Sequence, residues 1–505
     1  MSSPAATSNG DMRRDMLSKD DCYPGKIRQG LGLRSEASSP MSMKGVDVDV
    51  VEDDVVRNTS FYTHVDNSFE ETEELVPTYV TGVERPSLIR NPKFWFRQCM
   101  ATIISSMILL CIVSIGLCHR ALFYLPRALR KKNQIVRAWD NHDRWRDEQL
   151  IKNPQYYARK CGFDIIDEQV QTEDGYLLRM HRVVCNESLR DKRGPGRGYP
   201  VLILHGLFQS SGSFITSEER SLAFWLASQG YCVYLGNNRA AFNMGHRRYS
   251  RYAPEFWNYN IRELALYDLP AMVDYVRQQT KFDKIAFIGH SQGNATAFIA
   301  LSRWFTPGLG DKISYFAALA PAAFAGPLIR SFPLSYMAHL DWRTWTRLFG
   351  VLDFIPLMQS TPYAALGYQM FAYLFEWNDT NWLPRRKSKM FRFTPQPVSS
   401  SAMFWWAGKD GFSSRGALFD ADVQWYDDHF PPLSLFSGGQ DRLVLIEPLL
   451  EHIRKHEPDV NLLRVKTQPE AEHCDHYWAA DAVEWCFLDI MEDIERTRTN
   501  RDQAK

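Results

Sequence analysis

The apolar run Lys284-Ile285-Ala286-Phe287-Ile288 leads directly into Gly289-His290-Ser291-Gln292-Gly293. The pattern predicts a buried strand, a sharp turn at Ser291 and a helix from Asn294 to Trp304. A serine hydroxyl is a poor nucleophile. It becomes effective when a turn exposes it beside a base and beside donors that can hold an oxyanion. The two glycines permit a tight strand-to-helix crossing because neither carries a Cβ. G-x-S-x-G alone matches small-residue turns by chance, so the strand before it and the helix after it carry the specificity.

From about residue 155 onward, strand and helix signals alternate. Asp164 to Gln171 and Tyr176 to Val184 predict a hairpin around Thr172-Glu-Asp-Gly175. Further strands are expected at Pro200 to Leu204, Tyr231 to Gly236, Ile313 to Ala320, Leu433 to Phe436 and Leu462 to Val465. Helices are expected at Ser217 to Gln229, Ile261 to Thr280 and Trp478 to Glu495. In the second of these, Asp268 reads as a cap and Pro270 as a first-turn residue. Strands separated by helices imply a mainly parallel sheet. With a serine elbow at the end of one strand, the expected fold is an α/β-hydrolase.

Between Pro321 and about Asp428 the alternation stops and aromatics crowd the chain, among them Trp342, Trp345, Phe371, Trp377 and Trp406. Lying between two sheet strands, this segment is expected to form a helical cap over the site. Most of its aromatics are expected to pack its own core, the remainder to line an apolar pocket or face lipid.

An α/β-hydrolase needs its partners in the order Ser, acid, His. Asp441 follows the strand Leu433 to Phe436 and the Gly438-Gly439 turn, which puts its carboxylate at the carboxyl edge of the sheet, where ligands bind. The histidine belongs on a loop before the last helix, where Glu472-His473-Cys474-Asp475-His476 offers His473 first and His476 second. The base takes the serine proton, and the acid fixes the imidazole tautomer. Oxyanion donors are expected from the backbone N–H of Gln292 and of Leu207, the latter in His205-Gly206-Leu207 after the strand Val201 to Leu204. His205 is read as structural, and His290 as a local packing or hydrogen-bonding residue.

The N-terminal part has a different character. Residues 1–92 are polar, with an acidic stretch from Asp47 to Glu74, and are expected to be disordered. The first twenty residues hold no apolar segment of the kind that opens a signal peptide. Cys99 to Cys118 then runs without a charge, long enough to span a hydrocarbon core of about 30 Å. Trp95, Phe96, Phe123 and Tyr124 suit the interface belts of such a helix. A buried core helix is disfavoured, because nothing before the run is able to bury it. The excess of Arg and Lys after the span favours a cytosolic C-terminal domain, and the apolar residues that resume at Ala121 keep a monotopic anchor open beside a single pass. The expected organisation is a tail at 1–92, an anchor at 93–126 with its core at 99–118, and a linker at 127–154. A hydrolase core at 155–320 and 429–497 follows, interrupted by the cap at 321–428 and closed by a tail at 498–505.

A formal net charge of zero argues against a nucleic-acid binder. The nine cysteines show no metal-ligand spacing and are read mainly as thiols in a reducing compartment, with one disulfide left open.

Several segments together carry a family resemblance. Thr172-Glu-Asp-Gly-Tyr-Leu-Leu178, His205-Gly-Leu207, Gly236-Asn-Asn-Arg239, Phe256-Trp257, Tyr267-Asp-Leu-Pro-Ala271, Gly289-His-Ser-Gln-Gly293, Gly438-Gly-Gln-Asp441 and His473-x-Asp475 resemble, in order, the acid lipase family. That family includes lysosomal and gastric lipases and fungal sterol esterases. The resemblance covers about residues 150–495 and supports Ser291, Asp441 and His473, with Leu207 and Gln292 as oxyanion donors. Two departures stand out: Leu204 where the family usually has Gln, and Asn237-Asn-Arg-Ala240 where it has Asn-Ser-Arg-Gly. The neighbourhood of the oxyanion hole is therefore expected to differ. Secreted members carry signal peptides, whereas a tail and a membrane anchor are the architecture of fungal membrane-bound steryl ester hydrolases.

The resemblance and the anchor together imply a membrane-anchored serine hydrolase that cleaves steryl esters through an acyl-enzyme, with no cofactor and no metal. The expected partners are neutral lipids and the surface of a membrane or lipid droplet, with lipid droplet, endoplasmic reticulum and plasma membrane all open as locations. A triacylglycerol lipase and an acyltransferase using the same triad are the competing activities. A non-enzymatic lipid-binding protein on the same fold is the third reading, and an intact Ser, Asp and His argue against it.

Overall fold

The computed structural model describes residues 92–128, 137–140, 142–185, 196, 198–359 and 361–498. The polar tail up to residue 91, Cys22, the basic cluster Arg130-Lys131-Lys132 and the chain beyond residue 498 lie outside the described residues, as do the side chains of Phe123 and Tyr124.

Eight strands form one sheet: β1 (Phe163–Gln171), β2 (Leu177–Cys185), β3 (Pro200–Leu204), β4 (Cys232–Gly236), β5 (Ile285–His290), β6 (Ile313–Leu319), β7 (Leu433–Gly438) and β8 (Leu462–Gln468). Their spatial order is β1-β2-β4-β3-β5-β6-β7-β8. β1 and β2 form the antiparallel hairpin, β2 meets β4 antiparallel, and every pair from β4 to β8 is parallel. The helices of seven or more residues are α1 (Pro92–Ala128), α2 (Pro154–Lys160), α3 (Leu222–Ser228), α4 (Leu269–Thr280), α5 (Gln292–Ala300), α6 (Trp342–Phe349), α7 (Thr361–Leu374), α8 (Ser400–Ala407), α9 (Glu447–His456) and α10 (Leu488–Thr497).

The continuous apolar runs of β3, β5 and β6 follow from burial on both faces of the sheet. Val201 and Ile203 join one core cluster with Ala286, Ile288 and Ala317. Leu202 and Leu204 join the other with Ile285, Phe287 and Phe316. The alternation of side chains along a strand makes one sequence serve both cores. Between β6 and β7 the described chain contains helices and loops and no strand of the sheet. α6, α7 and α8 belong to this cap.

Three helix boundaries differ from the sequence expectation. The helix expected from Ser217 begins only at Leu222, because Glu218 turns back at φ 61° to place its carboxylate among Arg385, Arg386 and Lys389 of the cap. The last helix does not run unbroken from Trp478: Ala479 is extended, and helix resumes through a wide turn at Val483–Phe487 into α10.

The third correction concerns Asp268, which does not cap a helix. The helix starts earlier, at Ile261, behind an Asn260–Glu263 capping box, and passes through a wide turn at Leu264–Asp268 into α4. Asp268 is fully buried, and its carboxylate accepts from Arg239 Nη2 at 2.6 Å, Nε at 2.9 Å and the Arg239 backbone N–H at 2.9 Å. Arg239 also donates to Asp174 at 2.8 Å and lies 3.9 Å above the Tyr176 ring. Three motifs far apart in the chain thus meet in one buried charge cluster. Replacing Asp268 with Ala leaves a buried guanidinium short of a partner and is expected to cost about 3–5 kcal/mol. Urea unfolding of the two proteins measures it, and a loss below about 1 kcal/mol rejects the cluster as a structural keystone.

α1 is not a free tether in this structure. Gln98, Ala101, Ser105, Leu109, Val113 and Gly116 form a buried stripe along it. The Gln98 side chain accepts from the Val351 N–H at 3.2 Å, just after α6, and Gly116 abuts Gln369 and Tyr373 of α7. The expectation that nothing is available to bury this run considered only what precedes it; the covering surface comes from the cap, far downstream.

Candidate active site

Ser291 links β5 to α5 with φ 51° and ψ −112°, a conformation that non-glycine residues rarely hold. Its N–H donates to the Leu319 carbonyl at 3.1 Å, and Asn294 Nδ2 donates to the same oxygen at 2.6 Å, which fixes the turn from below. A Cβ on Gly293 would lie 2.6 Å from the Leu204 carbonyl oxygen, and one on Gly289 would collide with Asn294. The two glycines of G-x-S-x-G are therefore demanded by close approach on both sides of the elbow.

Asp441 and His473 come together from the loops after β7 and β8. The N–H of Gly439 donates to Gln468 at 2.8 Å, and that of Gln440 to Ala471 at 2.9 Å, so the two loops are laced together. Asp441 Oδ2 then pairs with His473 Nδ1 at 2.7 Å, while Oδ1 accepts from Leu443 N–H at 2.8 Å and Val444 N–H at 3.3 Å. Both side chains are 4% exposed, which keeps this pair out of bulk water. Ser291 and His473 line the same cavity. No hydrogen bond joins them in this structure, and such bonds often tighten only once substrate is seated.

His476, the second candidate base, is buried with its Nε2 lacking a hydrogen-bond partner among the described residues; burial pushes it down to about 4. His205 is structural, with Nδ1 at 2.8 Å from the Gly206 carbonyl and Nε2 accepting from Asn238 N–H at 3.3 Å. His290 points its Nε2 at the His473 carbonyl, 3.0 Å away. Burial, then the neighbouring His473, holds His290 well below the usual imidazole range.

Leu207 lines the cavity, and Gln292 opens α5, where backbone N–H groups lack helical acceptors. A Cβ on Gly206 would lie 2.8 Å from His290 Nδ1 and 3.2 Å from Ser291 Cβ, so the glycine lets the Leu207 loop approach the elbow. Ala240, the departure noted in Asn237-Asn-Arg-Ala240, adopts φ 68°. That is the left-handed region in which glycine is unstrained.

Three features escaped sequence reasoning. The first is Gln209, whose Oε1 accepts from Gly206 N–H at 3.1 Å and faces His290 Nδ1 at 3.1 Å, while its Nε2 donates to Tyr477 at 2.7 Å. It joins the Leu207 loop to the residues around His473. The second is the hydrogen bond from cavity-lining Trp406 of α8 to the Gln292 side chain at 2.9 Å; the sequence points only to cap aromatics lining a pocket. The third is a latch from the cap to the histidine loop. Asn378 donates its N–H to Glu472 at 2.8 Å and its amide to the same carboxylate, while Asn381 and Trp382 donate to Asp475 at 2.8 and 2.6 Å. Only the His473-x-Asp475 spacing hinted at the last of these.

Burial raises Glu472 to about 8 and Asp475 to about 6. Each carboxyl binds its proton more tightly in the folded chain than in the unfolded one. The resulting stabilisation is complete below the ordinary carboxylate range and disappears as pH rises through these values. The melting temperature is accordingly expected to fall between pH 4.5 and about 8, and Glu472→Gln is expected to flatten that fall. Thermal melts across this window decide it: parallel profiles for the two proteins reject the assignment to Glu472.

The cavity around Ser291 is walled mainly by apolar groups. Leu207 and Phe208 come from the core, and Phe371, Phe375, Trp377, Trp406 and Phe412 from the cap. The Trp377 ring lies within 18° of parallel to His473, centroids 6.4 Å apart.

Comparison with known proteins agrees with this architecture. The alpha/beta hydrolase fold family matches residues 199–480, and the partial alpha/beta-hydrolase lipase region matches residues 154–218. Sterol esterase 2 of Saccharomyces cerevisiae is 30% identical over 397 residues, covering 69% of this chain and 72% of its own length. The chain belongs to the acid lipase family of α/β-hydrolases. Among its fellow acid lipases, human lysosomal acid lipase/cholesteryl ester hydrolase is 29% identical over 355 residues, 64% of this chain and 85% of that one. Human gastric triacylglycerol lipase is 29% identical over 371 residues, 67% of this chain and 89% of its own. This family member is a carboxylic ester hydrolase of the lipid-ester class.

Proposed function

We propose that Ser291, His473 and Asp441 form a nucleophile, base and acid, with the N–H groups of Leu207 and Gln292 as oxyanion donors, in a membrane-anchored hydrolase of steryl esters. The observation that carries the chemistry is that His473, paired with buried Asp441 at 2.7 Å, lines the same apolar cavity as the strained Ser291 turn.

Ser291 Oγ attacks the ester carbonyl while His473 Nε2 takes its proton. The oxyanion forms against the two N–H groups. Collapse breaks the bond to the alcohol oxygen, and His473 returns the proton to the departing sterol. A water molecule, deprotonated by His473, then attacks the acyl-enzyme and releases a fatty acid. Asp441 holds Nδ1–H, which leaves Nε2 free to accept. The aromatic wall suits an acyl chain and a fused ring system, neither of which offers hydrogen-bonding groups along its length. The preference for steryl esters draws on the yeast relative, whose name is sterol esterase, and on the apolar helix ahead of the hydrolase core.

The gastric relative acts on triacylglycerol by name, so the discriminating experiment presents cholesteryl oleate, ergosteryl oleate and triolein in parallel to the purified protein. Faster turnover of triolein than of either steryl ester rejects the preference. Added free sterol that emerges as new ester, in place of released fatty acid, identifies acyl transfer.

A further inference from the structure

We infer that α1 lies along a lipid surface as an outer wall of the cap, and does not cross the bilayer. This rests on the proposal that the enzyme works on membrane lipids, and it concerns how the anchor and the cavity are arranged there.

α1 has two apolar faces. One is the buried stripe from Gln98 to Gly116, repeating every three to four residues and covered by α6 and α7. At 1.5 Å per residue that stripe is about 27 Å long, close to the full depth of a hydrocarbon core. A helix covered by protein along this length is able to cross a bilayer only if the covering helices enter it too. α6 carries exposed Arg343 and Arg347, with Asp341 capping its start, and such charges are excluded from hydrocarbon.

The opposite face is Phe96, Met100, Ile103, Met107, Leu110 and Leu117, each at least 41% exposed. A surface helix facing water carries polar residues on its outer side. Here the outer side is as apolar as the inner one, and the chemistry that fits it is the acyl layer of a membrane or droplet. Lys93 and Arg97 are exposed beside Phe96, where a helix lying in the interface places cations against headgroups.

The arrangement also ties the surface to the cavity. α7 meets α1 through Gln369 and Tyr373, and presents Phe371 to the cavity, which Phe375 also lines. One helix therefore separates the lipid-facing wall from the substrate space. A second apolar edge lies nearby in sequence to the lining: Leu334 faces the cavity, while Phe332 and Tyr336 are 71% and 66% exposed.

The test is a cross-link. A Cβ at Gly116 would sit 3.2 Å from Tyr373 Cβ, near the spacing of a disulfide. After Cys99, Cys111 and Cys118 are replaced by Ala, the pair Gly116→Cys and Tyr373→Cys is oxidised in liposomes of phosphatidylcholine and phosphatidylserine. A protease site placed between residues 129 and 136 then reports whether the two parts remain joined. The expected result is a joined product in membranes, with epitopes at both chain ends digested from the same side. Failure to cross-link in membranes while the detergent-solubilised protein cross-links, or epitopes on opposite sides, overturns the inference. Neither readout depends on substrate, so a failed topology and a failed steryl ester assignment are distinguishable. As a second arm, Met107→Lys with Leu110→Lys is expected to lower turnover of liposome-borne ester at least tenfold and to leave a soluble short-chain ester unaffected. Unchanged turnover of both overturns the inference.

Discussion

Ser291→Ala is expected to lower kcat for any ester by about 10⁴-fold or more, because the acyl-enzyme then has no oxygen on which to form. The elbow should survive the change. The Ser291 N–H to Leu319 bond, the Asn294 bond to the same carbonyl and the glycine contacts are made by backbone and by neighbours, not by Oγ. Alanine at φ 51° meets the same strain as serine, so the melting temperature should shift little. Loss of turnover with an intact melt is thus the expected signature. Turnover with a soluble p-nitrophenyl ester, measured beside the melt, checks it. A Ser291→Ala protein that keeps one tenth of its activity removes Ser291 as the nucleophile.

Asp441→Asn is expected to cost about 10⁴-fold in kcat, the size of effect seen when a triad acid becomes an amide. Oδ1 is held by Leu443 and Val444 N–H groups, so asparagine should occupy the same place. Its amide nitrogen then faces His473 Nδ1 and donates to it. That puts the imidazole proton on Nε2, where it no longer accepts from serine. The fault is one of tautomer, not of folding. KM should stay near its starting value while kcat falls, because the cavity wall is unchanged. A loss under tenfold places the acid elsewhere, and Glu470, Glu472 and Asp475 are the other carboxylates on the histidine loop.

The sequence made some of these features legible and hid others, for identifiable reasons. The inner strands are visible because β3, β5 and β6 are buried on both faces and so lack polar residues. The candidate serine, acid and base are visible because each follows a strand at the same edge of the sheet. Helix starts are less visible. Glu218 leaves its helix to reach cations of the cap, and Asp268 leaves the role of cap to neutralise Arg239. In each case a distant charge outweighs local propensity. Gln209 carries no motif at all: its importance comes from sitting between the Leu207 loop and Tyr477, which no spacing along the chain encodes. The docking of α1 is hidden in the same way, since Gly116 packs against the Gln369 carbonyl and the Tyr373 side chain of a helix far downstream.

That last separation has a consequence in time. Protein synthesis makes Gly116 well before Tyr373, the residue against which it packs. At 5–20 residues per second the interval is roughly 10–50 s. Helix formation takes microseconds or less. α1 therefore exists as a finished helix with both apolar faces bare for almost the whole of that interval. Water is a poor place to wait, and in the proposed arrangement a lipid surface would hold the helix until the cap arrives to cover one side of it. The order of residues along the chain thus makes closure of this wall of the cap a late assembly step, and under the proposed lipid-surface arrangement contact with lipid precedes it.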